Sequence, residues 1–134
     1  MNKPNPRLSQ SLTRIKLSHY RWLFWGFLLC ISYKLLIPAE HSGVDIPHLD
    51  KLVHGGIFFV MTFLLMLAYQ MYHLQYFIVL TSYGVITEYL QAQTGYRTGD
   101  IFDLLADICG IILLFAVRKL WLNKQLKATN SRQK

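Results

Sequence analysis

The side chains able to do chemistry fall into three short groups in this chain, each with helical spacing. Asp50, Lys51 and His54 form the first, Glu88 and Gln91 the second, and Asp100, Asp103 and Asp107 the third, with Arg97 just ahead of it. Residues three, four or seven apart share one face of an α-helix. Asp50 with His54, Glu88 with Gln91, and the three aspartates should therefore line three helix faces. Such a set suits a polar ligand. Lys51 and Arg97 can meet phosphate or carboxylate, and His54, Glu88 and Gln91 supply directional hydrogen bonds. The same groups permit a different chemistry. Asp100, Asp103 and Asp107 offer oxygen donors to Mg²⁺ or Mn²⁺, and His54 or Glu88 could be a general base. That is the layout of an enzyme transferring a phosphoryl or headgroup moiety. The sequence contains no H-E-x-x-H, no P-loop and no serine in a nucleophile elbow. Ligand binding without a metal or cofactor is therefore the expected role of Asp50, Lys51, His54, Glu88, Gln91, Arg97, Asp100, Asp103 and Asp107.

Several of these residues also have purely structural uses. Asp50 and Asp100 suit helix N-caps, where a carboxylate accepts from free backbone N–H groups and complements the helix dipole. Lys51 suits an interfacial anchor, Gln91 a hydrogen bond at a helix end, and Arg97 a salt bridge to Asp100 or Asp103. Asp107 and Glu88 resist that explanation most, because they lie deepest in apolar sequence.

The elements that position these groups are apolar. The chain has 134 residues, 53% hydrophobic and only 16% charged. About 25% charged is usual for soluble domains. Four segments approach the ~20 apolar residues that cross a bilayer as a helix: about 22–37, 52–69, 74–92 and 101–122. Helices satisfy their own backbone hydrogen bonds, as lipid cannot. The expected architecture is an all-α membrane protein, an antiparallel bundle of four transmembrane helices spanning 22–122. Basic tails flank it at 1–21 and 123–134. The second and third segments are joined by a very short turn and are expected to be antiparallel neighbours. Cys30 and Cys109 fall inside the apolar segments, where they suit small packing positions.

Charge gives the direction. Eleven of the 14 Lys and Arg lie in the two tails and at their borders, whereas the opposite loops hold Lys51 and Arg97. The positive-inside rule then puts both termini in the cytoplasm. The +7 net charge is a property of tails abutting apolar segments, so membrane lipids are the expected partners and nucleic acid is not. All nine candidate site residues then fall in the extracytoplasmic half. An ionised side chain facing lipid at a helix centre costs about 2.5–3.5 kcal/mol, so these faces should turn inward.

The fragments D-K-L-V-H at 50–54, E-Y-L-Q at 88–91, R-T-G-D-I-F-D at 97–103 and D-I-C-G at 107–110 together resemble the VanZ-like family of small membrane proteins. The resemblance covers about residues 48–118. It maps the family motif onto Asp50, Lys51, His54, Glu88, Gln91, Arg97, Asp100, Asp103 and Gly110, with Asp107 where the family usually has asparagine. It implies a multi-pass protein of the bacterial cytoplasmic membrane connected with the cell envelope. The family takes its name from a protein associated with low-level resistance to the glycopeptide teicoplanin. A lipid headgroup, a lipid-linked cell-wall intermediate or a glycopeptide would suit the polar chemistry of these side chains.

Overall fold

The computed structural model describes residues 6–37, 49–94 and 100–132. All secondary structure among them is helical: α1 (Pro6–Leu36), α2 (Leu49–Ala68), α3 (His73–Gln93) and α4 (Ile101–Arg132). Proline at the first position of α1 suits a helix start, since its missing N–H has no partner there in any case. The same helix stops ahead of Pro38, because the residue before proline is pushed out of the helical region. Two helices outrun the expected segments. Apolar sequence ends near Leu122, but Lys124, Gln125, Leu126 and Lys127 are good helix formers and carry α4 on, exposed, to Arg132. Likewise α1 begins within the basic N-terminal stretch.

Among the described residues one helix, α2, is by length and composition long and apolar enough to cross a membrane, with 20 residues and a mean hydropathy of 1.9. The others are diluted by polar residues. α3 carries Thr81, Ser82, Thr87, Glu88 and Gln91, and α4 carries Asp103, Asp107 and its basic end.

α2 runs parallel to α4 and antiparallel to α1. Its most extensive packing is against α4 and then α1, whereas its approach to α3 is the slightest of the helix pairs. The short connection 69–72 therefore does not make α2 and α3 the principal neighbours. The reason is a glycine seam. Gly55 faces the Ala106 carbonyl, and a Cβ on Gly110 would overlap the Gly55 carbonyl oxygen. Small residues let two helix backbones touch, and α4 brings Ala106 and Gly110 against the α2 backbone, whereas Gly84 of α3 meets only the Phe58 side chain of α2. α3 packs on α4 and α1 instead.

One end of the molecule is tied by aromatic and basic side chains. Arg21 Nε donates to the carbonyl of Ala68 at the α2 C-terminus, 3.3 Å, and lies over the Tyr69 ring. A cation there complements the helix dipole. Trp25 Nε1 donates to the Tyr69 hydroxyl, 3.0 Å. Tyr76 closes the 69–72 connection, donating to the Tyr69 carbonyl and accepting from the Met71 N–H. The apolar core lies towards this end: Phe24, Phe58, Met61, Leu65, Ala68, Tyr76, Leu80 and Ile111. The outer surface is also apolar, including Leu52, Val60, Phe63, Ile78, Val79, Ile86, Ile112 and Leu113. Cys30 and Cys109 are exposed on it rather than packed inside.

Candidate functional site

The polar residues gather at the opposite end, between the starts of α2 and α4 and the last turns of α3. Lys51, in the first turn of α2, reaches across to α4. Its Nζ lies 2.9 Å from Asp100 Oδ2, 3.2 Å from Asp103 Oδ1 and 3.0 Å from Asp50 Oδ2. Asp100 also caps α4, as its Oδ1 accepts the Phe102 N–H at 2.8 Å. The Lys51 ammonium, and after it that N–H, hold the Asp100 carboxyl below its usual range. Asp50 lies inside α2, on the exposed side of the lysine.

One turn deeper, His54 is 3% exposed and Asp107 1%. His54 Nδ1 lies 3.1 Å from Asp107 Oδ1. The i, i+4 step from Asp50 to His54 and the i, i+4 step from Asp103 to Asp107 run side by side because α2 and α4 are parallel. Gly84 of α3 completes this contact. A Cβ there would stand 3.1 Å from Asp107 Oδ2 and 3.3 Å from the Phe58 ring. A lone glycine in an apolar helix was the sequence signal for this approach, but it does not say what fills the space.

Glu88 enters from α3. Its Oε2 accepts the Asp100 N–H at 3.1 Å, which ties the end of α3 to the start of α4. Its Oε1 is buried and has no hydrogen-bond partner among the described residues, and the same holds for His54 Nε2. The nearest carboxylate to that nitrogen is Asp103, with Oδ2 at 3.8 Å, beyond hydrogen-bond range. One donor atom from each of His54, Glu88 and Asp103 lies within 4.8 Å of the other two.

Of the nine expected residues, the structure brings together Lys51, His54, Glu88, Asp100, Asp103 and Asp107, with Asp50 at their rim. Gln91 is elsewhere. Its Nε2 donates to the Leu35 carbonyl at 2.9 Å, and the residue is 2% exposed. It thus satisfies a carbonyl at the end of α1, of the kind every helix C-terminus leaves unpaired. Arg97 lies outside the described residues.

The pairings change the chemistry expected of the site. Lys51 is already surrounded by three carboxylates, so it is poorly placed to capture an anion. The three aspartates do not form a common donor set either, since Asp100 serves Lys51 and the α4 cap while Asp107 serves His54. Among the described residues, one imidazole nitrogen and one carboxylate oxygen of the cluster are left buried without a partner, both acceptors when His54 donates from Nδ1. The cluster therefore suits a partner that brings positive charge or hydrogen-bond donors.

Comparison of the chain with protein-family models, with curated proteins and with solved structures finds no match.

Proposed function

We propose that this chain is a VanZ-like, four-span protein of the bacterial cytoplasmic membrane, with both termini in the cytoplasm. In this reading its polar cluster binds a ligand of the cell envelope from the extracytoplasmic side. The observation that carries the reading is the pair of buried acceptors, His54 Nε2 and Glu88 Oε1, that have no partner among the described residues. An unmade hydrogen bond in a buried site costs about 1–3 kcal/mol, so a bound group that fills both gains that amount twice. Membrane residence is supported by the inversion of polarity. Charged residues of α2, α3 and α4 meet inside, whereas Leu52, Val60, Ile78, Ile86, Ile112 and Leu113 face outward. Apolar surface of that extent marks a lipid or protein contact.

The ligand class that fits is a lipid headgroup, a lipid-linked cell-wall intermediate or a glycopeptide that presents an amine or several hydroxyls. Native mass spectrometry of gently extracted protein tests this. Wild type retains an envelope lipid or precursor, and Glu88→Gln retains less of it while eluting as the same folded species. Equal retention by both proteins contradicts the reading.

A further inference from the structure

We propose that His54, Glu88 and Asp103 form a binding site for one divalent transition-metal cation of the zinc–manganese class. The proposal rests on the reading of this cluster as a ligand site and names what it takes. His54 is 3% exposed, and its Nδ1 is committed to Asp107. With Asp107 ionised, Nδ1 carries the hydrogen and Nε2 presents a lone pair. Among the described residues that lone pair is buried without a partner, as is Glu88 Oε1, and Asp103 Oδ2 lies 3.8 Å from the nitrogen. Three electron-rich atoms facing one another repel unless a positive charge stands between them. Lys51 does not supply it there, because its three carboxylate contacts are to Asp50, Asp100 and Asp103 Oδ1.

One imidazole nitrogen with two carboxylate oxygens is a donor set suited to Zn²⁺ or Mn²⁺ more than to Ca²⁺ or Mg²⁺, which prefer oxygen alone. The surroundings are those that orient metal ligands. A metal-bound histidine usually donates its other N–H to a carboxylate, and ligating carboxylates are themselves hydrogen-bonded. Asp107 accepts from His54, the Asp100 N–H binds Glu88 Oε2, and Lys51 holds Asp103 Oδ1. The three donors lie within 4.8 Å of one another. Donors bound at about 2.0–2.2 Å stand no more than about 4.4 Å apart across a cation, so a pair wider than that must draw inward on binding. Three protein donors leave coordination positions open. A hydroxyl or amine of an envelope ligand can fill one.

The test uses the full chain in lipid nanodiscs, stripped with a chelator and titrated with Zn²⁺ or Mn²⁺ alone. The expected result is one saturable equivalent per chain, lost in His54→Gln and Glu88→Gln. Asp107→Asn, which touches the cation only through His54, should weaken binding about 10–100-fold. Pulsed EPR of the Mn²⁺-loaded wild type should show coupling to one imidazole nitrogen, and this readout stands even where a variant fails to fold. No saturable binding to wild type, binding unchanged in Glu88→Gln, or bound Mn²⁺ without nitrogen coupling overturns the proposal. The buried nitrogen then carries a proton as imidazolium instead. A wild type that binds no cation yet retains an envelope ligand in native mass spectrometry overturns the metal site alone.

Discussion

His54 Nδ1 and Asp107 Oδ1 stand 3.1 Å apart between two parallel helices, both residues almost wholly buried. This contact fixes the imidazole ring, and with it the direction in which Nε2 faces Glu88 and Asp103. It also explains how a carboxylate is accommodated when it is almost wholly buried, since a buried charge is costly unless paired and hydrogen-bonded.

Substitutions at 107 should separate geometry from charge. Asparagine keeps an oxygen that accepts from Nδ1–H, so Asp107→Asn should accumulate in the membrane and melt close to wild type. Asp107→Ala leaves the histidine donor unpaired and opens a gap beside Gly84. A loss of about 1–3 kcal/mol is expected, read as a lower melting temperature in detergent. A severe loss on Asp107→Asn would show that the negative charge itself is required.

The glycine seam gives a sharper contrast. A Cβ at Gly110 meets backbone, the Gly55 carbonyl and the Phe59 N–H group, which cannot rotate away. Overpacking typically costs about 1–3 kcal/mol, and Gly110→Ala should reach the upper part of that range because α2 and α4 must separate. Gly56 has nothing within 4 Å of its added Cβ. Gly56→Ala should be neutral, or stabilising by up to about 1 kcal/mol through helix propensity. Thermal melts of the two variants side by side check this. Equal effects would contradict the α2–α4 contact.

Gln91 should behave as a structural residue. Gln91→Met removes the bond to the Leu35 carbonyl and should lower stability by about 1 kcal/mol. Ligand retention in native mass spectrometry should stay at the wild-type level. Loss of ligand without loss of stability would return Gln91 to the binding site.

The helices and the end at which polar residues collect were legible in the sequence. Apolar runs and the 50/54, 88/91 and 100/103/107 spacings are local signals, and chain direction alone brings alternate helix ends together. The pairings were not legible. Whether Lys51 meets an incoming anion or Asp50, Asp100 and Asp103 depends on how α2 and α4 are rotated. That rotation is set by Gly55, Ala106 and Gly110, whose contribution is the side chain they lack. Gln91 shares a helical face with Glu88 by spacing, yet one turn of helix is enough to hand it to α1. The expected close α2–α3 pair would by itself have brought His54 near Glu88. Their convergence arises instead through α4, which packs against both.

The central claim is that the acidic–histidine cluster sits at the outer face of a membrane-embedded bundle. The most direct measurement is cysteine accessibility in intact cells, in a background with Cys30 and Cys109, both exposed, changed to alanine. Gln93→Cys, at the exposed end of α3 beside the cluster, and Lys127→Cys, on exposed α4, are the two probes. A membrane-impermeant maleimide should label position 93 in intact cells and position 127 only after permeabilisation. Labelling of 127 but not 93 in intact cells, or recovery of the protein in the soluble fraction, would contradict the account.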